Sequence, residues 1–241
     1  MRMFSNFPRD RVLLCVAVGL FLTVTLIAPP RSARAQKQSV KPGINDSFKD
    51  PNVTDFVERF EKEGREIYDK RDDVLVACGV KEGMAIADVG AGTGLYTRLF
   101  ATQAGPKGRV FAVDIAAKFV DHVVASSREE KLNNVVGIVC KADSSELPEN
   151  SVDLVFICDT YHHFEFPQST MKSIHSALRP GGVVCLIDFE RIEGVSSDWI
   201  LGHVRAGKET VQKEMEEAGF ERIDEVKGLF KDNYFLKFRK R

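Results

Sequence analysis

The sequence predicts an α/β fold built on an open, largely parallel sheet, and three observations carry that reading. Five short apolar runs, at residues 84–89, 109–113, 135–140, 151–158 and 183–188, alternate with segments of helical period. The first run breaks into a glycine-rich turn, Gly90, Ala91, Gly92, Thr93, Gly94, with Asp88 two residues ahead of it. After the fifth run, residues 220–226 and 234–238 alternate between apolar and polar side chains, as an antiparallel pair does.

Composition sets the outer limits. The chain has 241 residues, 44% apolar and 29% charged, enough for one sizeable core. Residues 1–35 stand apart: Arg2, Arg9 and Arg11 precede an uncharged apolar run of 17 residues over 12–28, and Ala33-Arg34-Ala35 follows Pro29 and Pro30. That pattern is expected of a secretory signal cleaved before Gln36, which would make the protein exported, periplasmic or secreted. The run also sits at the lower edge of a membrane span, so an uncleaved anchor that associates the protein with a membrane is the alternative. Without this segment 29 basic and 34 acidic residues remain, a net charge of −5. Nucleic acid is therefore not expected as a partner, since the basic residues are scattered except at the chain end, Lys237 to Arg241. Cys78, Cys140, Cys158 and Cys185 form no CxxC pair and lie in or beside apolar runs, so buried thiols are expected and no metal site.

Residues 36–53 are polar, with Pro42, Gly43 and Pro51, and are expected to form a linker without regular structure. The globular domain then spans 54–241. A helical period begins at Thr54, with Asp55 as cap and Phe56, Phe60, Ile67 and Tyr68 on one face past Gly64; a second short helix over 72–78 stops at Gly79. The first strand, 84–89, enters the glycine turn. There, glycines take positive φ and let the backbone approach a ligand, and the helix over 95–103 directs unpaired N–H groups at the turn. The second strand ends in Asp114, 20 residues past Gly94, with Ile115 beyond it. An acid there can accept from both hydroxyls of a ribose. A helix over 116–131 leads to the third strand and Asp143. The fourth strand emerges as Asp159, Thr160, Tyr161, His162, His163, at the end of the sheet where open α/β folds bind ligands. The next helix runs over 167–178. Residues 191–206 are irregular, and a helix over 208–218 precedes the closing pair.

A dinucleotide fingerprint needs a small residue three places after its second glycine, and Leu95 stands there instead. The turn as it stands, GxGxG behind Asp88, resembles the first motif of class I S-adenosylmethionine-dependent methyltransferases. The string ALRPGG at 177–182 resembles another landmark of that family, and the likeness covers residues 72–240. It implies a Rossmann-like, seven-stranded sheet of order 3-2-1-4-5-7-6, the last strand antiparallel, with helices on both faces. It implies S-adenosyl-L-methionine as cofactor, held by Asp88, Gly90, Gly92, Thr93, Gly94, Asp114, Ile115, Asp143 and Asp159. Asp143 would meet the adenine amino group or else cap its own turn. Arg65, Tyr68 and Arg71 lie on covering helices and either touch ligand or remain solvated.

Methyl transfer from a sulfonium needs alignment of the acceptor and, for some acceptors, removal of a proton. His162, His163 and Tyr161 are the catalytic candidates, with Asp159, His203 and Arg205 also on the acceptor side; packing or capping is the alternative role of the paired histidines. An Asp-Pro-Pro-aromatic motif is absent because Asp159 precedes Thr160 and Tyr161, which favours a small-molecule acceptor. Cys140 and Cys158 would stand three strand steps apart, too far at about 4.8 Å per step to share a metalloid. The alternatives are an exported, non-catalytic cofactor- or partner-binding domain, and an NAD-dependent oxidoreductase.

Overall fold

A computed structural model describes Gln36 and residues 38–241. The expected signal or anchor over 1–35 lies outside the described residues. Among the described residues no helix is long and apolar enough to cross a membrane.

Seven strands form one sheet: β1 Ala85–Val89, β2 Arg109–Asp114, β3 Val135–Val139, β4 Val152–Cys158, β5 Leu178–Phe189, β6 Phe220–Glu225 and β7 Asn233–Lys240. Their order is β3-β2-β1-β4-β5-β7-β6. The first five are parallel and β7 runs antiparallel to both its neighbours, as expected from the sequence. Val89 pairs with Val113 on one side and Ile157 on the other. The three central strands therefore end level, which brings Gly90, Asp114 and Asp159 to one edge of the sheet.

The period of two in the strands divides the core between two faces. Ala87, Val89, Val155 and Ile157 pack with Met171 and Ile174 of α6 (Pro167–Ala177) and with Val211 and Met215 of α8 (Lys208–Glu217). Ile86, Leu154 and Phe156 face the other way, onto Val74 and Cys78 of α3 (Arg71–Cys78) and Tyr96 and Phe100 of α4 (Leu95–Ala104). Phe100 and Phe156 are fully buried, and truncating either to alanine would cost about 3–5 kcal/mol. The remaining helices are α1 Val53–Phe60, α2 Glu66–Asp69, α5 Ala117–Glu129 and α7 Asp198–His203.

Local differences from the sequence expectation have physical causes. The covering helix is not continuous: α1 stops at Phe60, Gly64 takes φ +87°, and α2 begins only at Glu66. Asp55 lies within the first turn of α1, not at its cap. Strand β5 starts early, at Leu178, and reaches its main register through an irregularity between Val152 and Leu154 of β4. Within 191–206 a short helix, α7, is capped by the Ser197 hydroxyl accepting from the Ile200 N–H at 3.4 Å.

The largest difference concerns the expected linker. Much of it is a strap docked on the domain. Val40 N–H donates to the Glu165 carbonyl at 2.9 Å, and the Ser39 hydroxyl donates to Glu165 Oε2 at 2.7 Å. Asn45 Nδ2 donates to the His163 carbonyl at 3.1 Å, and Lys41 Nζ donates to the His203 carbonyl at 2.6 Å, at the C-terminal end of α7. A 3-10 turn over Asp46–Phe48 places Phe48 among Phe56, Phe119 and His163. Proline and glycine prevent a repeating structure in this stretch, but not hydrogen bonding to the domain, and Phe48 adds an aromatic anchor.

Candidate active site

The turn after β1 is bound to the end of β2. Gly90 and Ala91 N–H both donate to the Val113 carbonyl, at 2.8 and 3.1 Å, and Gly92 N–H donates to Asp114 Oδ2 at 2.9 Å. These three amides are thus used inside the protein and do not point freely at a ligand. Gly90 has φ +78°, and a Cβ there would collide with the Thr160 side chain. Gly94 has φ +85°, and a Cβ would meet Val123 of α5 at 2.7 Å. These glycines allow close approach of protein to protein at the cleft.

Asp114 is 7% exposed. Its Oδ1 accepts from Ala116 N–H at 2.9 Å and its Oδ2 from Gly92. Burial raises its pKa above the ordinary carboxylate value, and the N–H donors of Ala116 and Gly92 oppose that rise. Each oxygen keeps a lone pair, and the carboxylate lines a cavity of about 480 Å³, within the range of small-molecule sites. Gly90, Gly92, Ile115, Asp159, His162 and His163, all site candidates from the sequence, line the same cavity.

Asp88 lies elsewhere. Strand alternation turns it to the face of Ile86, where its Oδ2 accepts from Thr97 Oγ1 of α4 at 2.6 Å. Burial pushes its pKa up to about 7. Together with Thr93 it lines a separate cavity of about 60 Å³ that shares Phe60, Arg65, Gly90 and Cys158 with the larger one. Asp143 is exposed and does not line the cavity, whereas Lys141, Ala142 and Ser144 around it do. Gly94 serves packing against Val123 and lines neither cavity.

Asp159 has φ +47°, a left-handed backbone that aspartate tolerates better than most residues. Its Oδ2 pairs with Arg65 at 2.6 Å and its Oδ1 accepts from Asn233 Nδ2 at 2.7 Å. Burial raises its pKa, and the Arg65 guanidinium acts against that. Arg65 also stacks over the Phe60 ring and lines both cavities. Tyr68 and Arg71 pair with each other, ring to guanidinium at 4.4 Å, away from the cavity.

On the other side of the cavity stand three histidines. His162 is 2% exposed, and its Nδ1 lies 2.7 Å from Asp188 Oδ1 at the end of β5. Asp188 Oδ2 also accepts from the His162 N–H at 2.9 Å. His163 Nε2 lies 3.4 Å from His203 Nε2. Burial, then the neighbouring imidazoles, push His163 down to about 3, and burial also lowers His203. Trp199 stacks on His203 at 4.9 Å, and Phe48, Phe56, Phe119 and Phe189 complete an aromatic wall.

Two expected acceptor-side residues belong to the core instead. Tyr161 is fully buried, and its hydroxyl donates to Glu214 Oε2 at 2.8 Å. Arg205 forms a two-pronged pair with the same carboxylate, at 2.9 Å on each arm, and lies over the Tyr161 ring. Neither lines the cavity. Sequence reasoning passed over Asp188, Trp199 and Phe48. A signal existed for Asp188, an acid at the carboxyl end of a parallel strand. The four cysteines among the described residues are free; Cys140, just after β3, and Cys158, at the end of β4, both line the cavity, with β2 and β1 between those strands.

Residues 87–186 match the family described as "Methyltransferase domain". The matched segment runs from β1 through most of β5 and contains the glycine turn, Asp114, Asp159 and both paired histidines. Over 123 residues the chain is 28% identical to the ubiquinone/menaquinone biosynthesis C-methyltransferase UbiE of Cupriavidus taiwanensis, covering 49% of this chain and 48% of that protein. The chain thus spans about half the length of the curated relatives it matches first. In fold, the chain resembles a SAM-dependent methyltransferase from Aquifex aeolicus, with TM-score 0.69 and 24% identity over 79% of this chain and 99% of that one. It also resembles the [4+2]-cyclase SpnF, with TM-score 0.62 and 19% identity over 75% and 84% of the two chains. That second likeness shows that this fold carries more than one chemistry.

Proposed function

We propose that the protein is an S-adenosylmethionine-dependent methyltransferase acting on a small, largely apolar acceptor. The observation that carries this reading is the position of Asp114: its carboxylate is fixed by the glycine turn and faces a cavity whose far wall is aromatic and imidazole-rich. The match of residues 87–186 to the methyltransferase family supports it.

The donor set fits the cofactor. Asp114 would accept from two neighbouring ribose hydroxyls, which its remaining lone pairs allow. Ile115, 38% exposed in the cavity wall, offers an apolar surface to a purine. Arg65 and Asp159 are a ready pair for the carboxylate and ammonium of an amino-acid moiety, at the cost of separating from each other. The backbone around Ala142, which lines the cavity, rather than the exposed Asp143, would meet the adenine end. When bound, the cofactor supplies a methyl group on a sulfonium, already activated towards displacement.

The aromatic wall then holds the acceptor. Asp188 fixes the proton on His162 Nδ1, which leaves the Nε2 lone pair to receive a proton from an acceptor hydroxyl. His163 stays neutral across the physiological range and stores no proton there. The quinone-biosynthesis relatives fit an aromatic, apolar acceptor of this kind. Residues 1–35 are proposed to export the domain or anchor it, a reading that mapping of the mature N-terminus in the native host tests.

Binding tests the cofactor directly. At a hundred times its dissociation constant, S-adenosylhomocysteine should stabilise the protein by about 2.7 kcal/mol and raise its melting temperature accordingly. Asp114→Asn places an NH2 group against one of two N–H donors and should weaken binding roughly tenfold or more. No thermal response to S-adenosylhomocysteine at millimolar concentration, or a response to NAD in its place, overturns the proposal.

A further inference from the structure

Three of the five histidines in the chain converge on one side of the cavity from two distant segments. His162 and His163 follow β4 in a 3-10 turn, and His203 ends α7, 40 residues later. The three ligand nitrogens all lie within 4.8 Å of one another. Among the described residues, this is the one group with spacing suited to a metal ion.

We propose that His162, His163 and His203 form a three-imidazole site for a divalent transition ion of the zinc type, with its fourth position open to the cavity. The inference rests on the methyltransferase reading only for its role in turnover; metal binding stands by itself. Zinc holds imidazole nitrogens at about 2.0–2.1 Å, so two ligands on a tetrahedron stand roughly 3.3–3.4 Å apart. The His163 and His203 nitrogens are already 3.4 Å apart. Closing the widest pair from 4.8 Å to a tetrahedral edge requires a shift of about 1.5 Å or less.

The surroundings fit. Asp188 holds His162 Nδ1 at 2.7 Å, the carboxylate–imidazole arrangement that orients a metal ligand and raises its basicity. Trp199 stacks on His203 with an interplanar angle of 20°, and Phe48 meets His163 edge-on at 5.1 Å, so both rings are held in plane. Three imidazoles with no thiolate and no carboxylate in the first ring suit borderline ions such as zinc, cobalt or nickel, not magnesium or calcium. Three protein ligands and an open position are the pattern of a catalytic rather than a structural zinc site. A cation there would take the His162 lone pair in place of a proton and polarise an acceptor oxygen in the open position. The cysteine spacing on which the expectation of no metal rested carries no information about this cluster.

The test uses the full chain without an affinity histidine tag, stripped with a chelator and titrated with zinc by calorimetry, with bound metal counted by elemental mass spectrometry. One equivalent of zinc is expected. Cobalt(II) should give the intense visible bands of tetrahedral imidazole coordination. His203→Ala, whose side chain is only half buried, should keep the metal-free melting temperature and lose at least tenfold in zinc affinity. Asp188→Asn should lose roughly 10–100-fold. Absence of zinc binding, or one equivalent bound equally well by the His203→Ala and His163→Ala proteins, overturns the inference and leaves a histidine–histidine hydrogen bond only. A protein that binds zinc as described but ignores S-adenosylhomocysteine would keep this site and remove the methyltransferase reading.

Discussion

Replacing Asp88 by asparagine separates a bracing role from a ligand-binding role. The carboxyl is 4% exposed and accepts a 2.6 Å hydrogen bond from Thr97, yet burial pushes its pKa up to about 7. In the unfolded chain an aspartate titrates near 3.9. Between those two values the folded protein binds the proton more tightly than the unfolded chain, so this group's contribution to stability falls as pH rises through that window. Three pH units correspond to an upper bound of about 4 kcal/mol, and relaxation around the charge should leave on the order of 2–4 kcal/mol. Asparagine keeps the shape, can accept from Thr97 through Oδ1 and has no charge to bury. Urea unfolding of both proteins from pH 4 to pH 8 should give equal stability at the acid end. The variant should then gain steadily and level off above about pH 7. Its affinity for S-adenosylhomocysteine should be little changed. A difference that stays flat across the window, or a variant that loses ground as pH rises, would refute the buried-charge reasoning.

Other predictions follow from single contacts. Tyr161→Phe removes the bond to Glu214 and should cost about 1–2 kcal/mol in unfolding free energy; since the ring lies outside the cavity, a loss of S-adenosylhomocysteine affinity would contradict its core placement. Arg65→Ala strands Asp159, and because the pair is partly exposed the expected destabilisation is about 1–3 kcal/mol, measurable by urea unfolding. Phe48→Ala takes away the aromatic anchor of the strap and should speed tryptic cleavage after Lys49, while an unchanged cleavage rate would show that the hydrogen bonds to Glu165 hold the strap unaided.

How much of the site was legible in the sequence differs from residue to residue. Asp114 was legible because strand, acid and glycine turn succeed one another at short range, and the turn's own geometry closes the Gly92 bond. Asp88 was visible as a position but not as a direction. Strand alternation sends it to the face of Ile86, under α4, and only the partner Thr97 shows what the carboxylate does. Tyr161 and His162 are adjacent in the chain, yet one enters the core beside Glu214 and the other meets Asp188 in the cavity wall.

The sequence by itself determined the sheet, its strand order through the family resemblance, and the cleft at the carboxyl ends of β1, β2 and β4, because these depend on hydrophobic period and on turn chemistry. Tertiary structure alone decided the far wall of the cavity. His203 and Trp199 arrive on a short helix in a stretch without clear period, Asp188 acts across from β4, and the polar strap folds back through single hydrogen bonds and one phenylalanine. Such contacts join segments tens of residues apart, and no local pattern encodes which distant side chain closes them.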